Sequence, residues 1–309
     1  MKMLTGAIAV LGLAAAGAAH AEGLQIEHAA ARVIVIPEAR TTMSVSIQNG
    51  DSRLPPVTVR QAGGGVFVEG GLDRRVKSCR GGVTNTNVFG GIVHTRDDRA
   101  VKIDGLGWVD VSALPMITAH VPLDAKISVS DAVWGQVGAT HSLTLSSVGC
   151  GDWSIGDVHG PLVTAQVGSG DIRGGDVQIV HASISGSGDL YLKTVAGQAD
   201  ASVSGSGDVH IEHANGPLHA AMAGSGDITV QSVNGPVAAR IGGSGDVKIA
   251  GGHTTQLSVD VAGSGDFTFG GSADAVSATV AGSGEVHIAH ATGPVSKRVS
   301  GSGEVSIGR

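Results

Sequence analysis

The chain is poor in aromatic residues, in cysteine and in long apolar runs. Aromatics make up only 3% of its 309 residues: four Phe, three Trp and one Tyr. With so few rings the core must be thin, and exposed stacking platforms for sugars are scarce. Only 15% of the residues are charged, with a formal net charge of −7. No basic patch is broad enough for nucleic acid. The one basic cluster, Arg74, Arg75, Lys77 and Arg80, reads as a solvated loop, with a small anion site as the alternative. After residue 18 no stretch approaches 18 unbroken apolar residues, so no membrane span is expected there.

The first residues read as a secretory leader. Lys2 supplies the positive start, Leu4 to Ala18 the short apolar run, and Ala19-His20-Ala21 a small-x-small cleavage site. Cleavage makes 1–21 the leader, starts the mature chain at Glu22 and removes one Lys, which moves the net charge from −7 to −8. The expected location is outside the cytoplasm, the periplasm first and the cell surface second. In an oxidising compartment the two cysteines, Cys79 and Cys150, most simply form one disulfide, the alternative being two distant free thiols.

What the chain has in abundance is glycine, 50 residues of it, much of it in one recurring motif. Gly-Ser-Gly-Asp, or a close variant, places an acid at Asp152, Asp171, Asp189, Asp208, Asp227, Asp246, Asp266, Glu285 and Glu304. The steps are 19, 18, 19, 19, 19, 20, 19 and 19 residues. A fixed short period of this kind marks stacked structural repeats.

Between two such turns apolar residues alternate with polar ones. In the coil opening at Asp208, Val209 and Ile211 alternate with His210 and Glu212; Leu218, Ala220 and Met222 then alternate with His219, Ala221 and Ala223. Period two means a strand with one buried face. Asn215-Gly216-Pro217 and Gly205-Ser206-Gly207-Asp208 are the turns between them. The register repeats in Leu190/Leu192, Ile228/Val230, Val247/Ile249, Phe267/Phe269 and Val286/Ile288, and in Val237/Ala239/Ile241 and Val276/Ala278/Val280. A sandwich of hairpins has no reason to hold one register through so many equal copies. The expected fold is therefore all-β: a parallel β-solenoid of two-strand coils, right-handed by the general crossover preference, burying about five apolar side chains per coil.

Two departures test this. Val163, Ala165 and Val167 stand one position closer to the next turn, before the 18-residue step, which predicts a shortened corner. Lys297 replaces the central inward Ala between Val295 and Val299, placing a charge that discourages edge pairing, or else a side chain that snorkels out of a frayed coil. Residues 22–148 are strand-like but irregular, with candidates at Val33–Pro37, Met43–Ile47, Gly65–Val68 and Ile117–Val121 and turns at Asn49-Gly50-Asp51 and Gly90-Gly91. They read as looser early coils leading into a regular stack over 149–309, with no linker demanding a separate domain.

The Gly-Ser-Gly-Asp-(Ile/Val) turns, the Val-x-Gly before them and the strand ending Val121-Pro122-Leu123 resemble the bacterial auto-transporter adhesin head, or GIN, domain family. The resemblance implies an exported β-helix and transfers no catalytic residues.

The acidic column needs an explanation, because like charges one strand apart repel by about 1 kcal/mol per neighbour even in water. Either each carboxylate caps backbone amides in its own turn, or Ca²⁺ lies between coils. The weak metal candidates are Asp189, Asp208, Asp227 and Asp246, with His210 and Glu212 two apart on one strand face. Solvated surface histidines are the plainer reading of His210, His213, His287 and His290. No cofactor is expected. Insert-free coils leave no loops on which to assemble a catalytic constellation. Two functions remain: a non-catalytic binding or scaffold module with an envelope or cell-surface partner, protein or glycan, or an envelope polysaccharide enzyme whose site lies near Trp108 and Trp134.

Overall fold

The computed structural model describes residues 23–308 apart from 82, 90 and 91. The leader, its cleavage site and the Gly90-Gly91 turn lie outside the described residues. Everything else is strand, turn or loop, save one 3-10 turn at Val111–Ala113.

In the regular stack each strand pairs in parallel with its counterpart one coil later. Leu190–Val195 pairs with Val209–Ala214, aligning Leu190 with Val209 and Leu192 with Ile211. Ala199–Val203 pairs with Leu218–Met222 in the same way. The fold is a parallel β-solenoid, and the inward columns read from the sequence are the buried ones: Val209, Ile211, Leu218, Ala220 and Met222 are each at most 2% exposed.

The coils opening at Asp171 and Asp246 bury five apolar side chains, as expected, while those opening at Asp189, Asp208, Asp227 and Asp266 bury six. The first strand bends after its third residue, so that two consecutive residues, such as Glu212 and His213, turn outward before Ala214 turns in. The resulting column of Val158, Val177, Val195, Ala214 and Val233 is at most 3% exposed. It recurs six residues after each acid from Asp152 to Asp227, next to turn residues that conceal it in the sequence.

The strand Val158–Gly168 corrects the expected register. Leu162, Thr164 and Gln166 point inward, while Val163 and Val167 are 39% and 45% exposed. Pairing fixes this: Leu162 aligns with Val180, Thr164 with Ala182 and Gln166 with Ile184. Alternation fails as a guide where both faces carry apolar residues. The core here contains a polar layer of Ser147, Thr164 and Gln166. Gln166 Nε2 donates to the Gly170 carbonyl at 2.7 Å, and the Thr164 hydroxyl has no partner.

The shortened corner of the 18-residue step lies on the side away from the glycine turn. Val177 is followed inward by Val180 three residues later, whereas Val195 is followed by Ala199 four later. In the 20-residue coil the same corner lengthens. Thr254 turns fully inward, with its hydroxyl donating to the Gln256 carbonyl at 2.8 Å. From the last inward residue of the second strand to the acid, the distance stays at five residues, as from Val203 to Asp208 and from Val261 to Asp266.

The solenoid begins at Leu24–Glu38, which pairs in parallel with Gly65–Glu69, Met116–Pro122 and Asp124–Val137. Ser44–Gln48 and Thr58–Ala62 add antiparallel edges. Between residues 70 and 115 the chain leaves the coil. Val76–Arg80, Ala100–Ile103 and Gly107–Asp110 form a three-stranded antiparallel sheet, and Val83–Phe89 pairs with Ile92–Asp97 as a hairpin. This lobe packs Leu72, Val101, Ile103, Val109 and Leu114 onto Ala30, Ala132 and Trp134 of the solenoid's outer face. The Cys79–Cys150 disulfide, with Cα atoms 6.1 Å apart, ties it to the first glycine turn.

Candidate functional site

The acidic column caps amides, but not those of its own turn. Each aspartate Oδ1 accepts from the backbone N–H of the acid in the next coil. The distances are 2.9 Å from Asp189 to Asp208, 2.8 Å from Asp208 to Asp227, 3.0 Å from Asp227 to Asp246 and 2.8 Å from Asp246 to Asp266. The series starts at Asp152 and runs to the amide of Glu285. The cause is local. The Gly186 carbonyl already accepts from the Ser206 and Gly207 amides at 2.9 and 3.0 Å, so the next amide, that of Asp208, turns to the carboxylate one coil back. Coils approach so closely here that a Cβ on Gly205 or Gly207 would overlap the carbonyl oxygen of Gly186 or Gly188.

The histidines decorate outer faces. His210 stands between Tyr191 and Thr229 in an outward row, while Glu212 and His213 face solvent at the bend. His213 Nδ1 lies 2.7 Å from the Ser232 hydroxyl. On the second sheet Asp200 bridges three coils, with its oxygens 2.7 and 2.8 Å from Nδ1 of His181 and His219. Burial pushes the Asp200 carboxyl up, but hydrogen bonds from Gln198, His219 and His181 outweigh it and hold the group below its ordinary value. Lys297 aligns with Ala278 as expected; the whole strand Val295–Val299 is exposed, so its charge is solvated.

One trio among the described residues, Glu27, His28 and Glu69, brings three ligand atoms within 4.8 Å of one another. None of the column aspartates, His210 or Glu212 belongs to it. His28 Nδ1 lies 3.0 Å from Glu69 Oε1 and 3.7 Å from Asp73 Oδ1. Burial opposes protonation of His28, but the bond and charge of Glu69, with Asp73 and Asp131, outweigh it and raise its pKa. The trio depends on pairing Glu27 with Glu69 across two strands, which nothing in the sequence signals.

An open groove of about 830 Å³ runs where the lobe meets the solenoid. Arg32, Arg99, Trp134, Gln136, Ser154 and Arg173 line it, with Asp152 and Asp171 beside them. Sequence reasoning pointed to Trp108 and Trp134. Trp134 lines the groove; Trp108 instead lies under the Arg80 guanidinium at 4.1 Å. Both groove carboxylates are engaged. Their Oδ1 atoms accept amides of the next coil at 3.2 and 3.1 Å, and Asp171 Oδ2 pairs with Arg173 at 2.9 Å. The arginines were not singled out in the sequence, because Arg32 and Arg173 meet only through the coiling.

Residues 140–253 match the family described as "Putative auto-transporter adhesin, head GIN domain". The GIN match thus covers the coils that supply Asp152, Ser154, Asp171 and Arg173 to the groove, while Arg32 and Trp134 come from outside it. The same coil geometry continues past the matched segment to Ile307. No curated protein matches the chain. The GIN description is that of a cell-envelope or exported protein.

Proposed function

We propose that the chain is a non-catalytic, adhesin-like binding module of the cell envelope, exported by its leader and working in the periplasm or at the surface. The observation that carries this is the state of the groove. Its two carboxylates each accept a backbone amide of the next coil, and the other polar groups of the lining are guanidinium, amide and hydroxyl. These are groups for recognition rather than for paired acid and base chemistry. The reading needs no cofactor, and its partner is an envelope protein or glycan. A pull-down of the mature protein against peptidoglycan, outer-membrane and capsule fractions tests it. Retention by one fraction supports the module, and retention by none removes it.

The second reading, an envelope polysaccharide enzyme, draws on Asp152 and Asp171 lying at the groove. It requires release of reducing ends or unsaturated products from a glycan, abolished by Asp152→Asn or Asp171→Asn. Absence of product from every fraction that the protein binds ends it.

A further inference from the structure

The charge of this groove runs against that of the chain. The sequence carries 27 Asp and Glu against 20 Lys and Arg, yet three arginines, Arg32, Arg99 and Arg173, outnumber the two aspartates, Asp152 and Asp171, in the lining of this groove. Arg32 is the most informative. Its Nη2 donates to the Leu114 carbonyl at 3.3 Å, its Nε is shielded from solvent with no hydrogen-bond partner, and no carboxylate among the described residues is ion-paired to it. With no carboxylate paired to it, the Arg32 guanidinium leaves an unbalanced positive charge at the groove wall, which an anion would neutralise. Gln136 and Ser154, exposed on the groove wall, add groups of the kind that orient hydroxyls.

From the groove a strip of flat side chains continues along the solenoid. Ser154, Arg173, Tyr191 and His210 align in successive coils. The Arg173 guanidinium lies 5.1 Å from the Tyr191 ring centre, and the Tyr191 and His210 rings are 6.0 Å apart. Tyr191, the one tyrosine of an aromatic-poor chain, is 36% exposed here. Because coils are stacked at about the strand spacing of 4.8 Å, the strip is straight and suits an extended polymer.

We propose that groove and strip together bind an acidic glycan, a sugar chain bearing carboxylates, lying along the solenoid axis. Its anionic groups meet Arg32 and Arg173, where planar guanidinium matches planar carboxylate; at Arg173 the ligand shares the guanidinium with Asp171, whose Oδ2 already accepts from Nη2 at 2.9 Å, and a sugar face rests on Tyr191. This deepens the binding-module reading and rests on it. The test is calorimetric titration of the mature full chain with a galacturonate oligomer, a neutral glucan oligomer of equal length, and polyphosphate. The uronate should bind at least about tenfold more tightly than the glucan, and Arg173→Gln and Arg32→Gln should each weaken it about tenfold, the scale of one charge-assisted pair. Tyr191→Ala should weaken uronate but leave polyphosphate unchanged. Arg32→Gln lies in a packed wall, so Arg173→Gln, on an exposed face, keeps the test valid if the first variant melts early. Equal binding of uronate and glucan, or full affinity in Arg173→Gln, overturns the proposal. Polyphosphate matching uronate with no effect of Tyr191→Ala overturns the sugar assignment. Retention on an envelope fraction without uronate binding rejects this inference alone; uronate binding without retention rejects the envelope role alone.

Discussion

Asp227 offers a direct measure of what the acidic column does. Its Oδ1 accepts the Asp246 amide at 3.0 Å, and its own amide donates to Asp208 at 2.8 Å. At about the 4.8 Å strand spacing, two like-charged neighbours in water repel it by about 2 kcal/mol together. Physiological salt reduces this to about 1 kcal/mol. Opposing it, a hydrogen bond to a charged acceptor contributes about 1.5–3 kcal/mol. Asp227→Ala removes both effects and should destabilise by about 0.5–2 kcal/mol, lowering the melting temperature by a few degrees. Asp227→Asn keeps an acceptor while removing the charge, and should stay within about 0.5 kcal/mol of the parent. In 1 M salt the repulsion is screened, so the alanine penalty should grow while the asparagine variant shifts little. Thermal melts followed by circular dichroism at both salt concentrations read this directly. If Ala, Asn and parent melt together in both conditions, the carboxylates do not act as coil-to-coil caps. If added Ca²⁺ raises the parent's midpoint and chelator lowers it, cation bridging replaces capping.

Other outcomes follow from the same geometry. Reducing Cys79–Cys150, which closes 71 residues, should lower stability by up to about 4 kcal/mol, seen as an earlier melt in reductant that Cys79→Ser with Cys150→Ser reproduces. Thr164→Val replaces a buried, unpartnered hydroxyl by a methyl group and should stabilise by about 1 kcal/mol in denaturant titration; a loss would show that the hydroxyl is satisfied by water. Because Asp200 is held below its ordinary value, its contribution is present above the unfolded carboxyl range and is lost as the pH falls through the lowered value. Asp200→Asn should therefore flatten the acid limb of the stability curve, and an unchanged limb would contradict the His181–Asp200–His219 bridge. Gly205→Ala should destabilise by more than the usual glycine-to-alanine change, since its Cβ would meet the Gly186 carbonyl oxygen.

How much of this could be read in the residues depends on what repeats. The column pairs such as Leu190 and Leu192 were legible because 19-residue spacing stacks like on like. The column through Val195 and Ala214 was equally periodic but hidden, since it abuts Asn-Gly-Pro turns and a bend in the strand breaks the period of two. Val163 and Val167 misled because their strand is apolar outside and polar inside, so that only its neighbours decide the register. The antiparallel lobe has no period to betray it. The groove was illegible for a different reason. Arg32, Trp134 and Arg173 belong to different turns of the helix, and only the rise from coil to coil brings them together.

The two corners of each coil differ in what they tolerate. Every change of length in the stack falls between the first and second strands, whether the missing residue near Gln178 or the extra one that turns Thr254 inward. The glycine corner keeps the same count throughout. Its amide-to-carboxylate links act as a ruler that resets the phase of the chain once per turn. A peptide inserted between Ala250 and Gly252, outside the paired strands, would therefore project as a loop while the coils on either side stay in step. The same insertion beside Asp246 would throw every later column out of line. The solenoid thus has one margin along which sequence can be added and one along which it cannot.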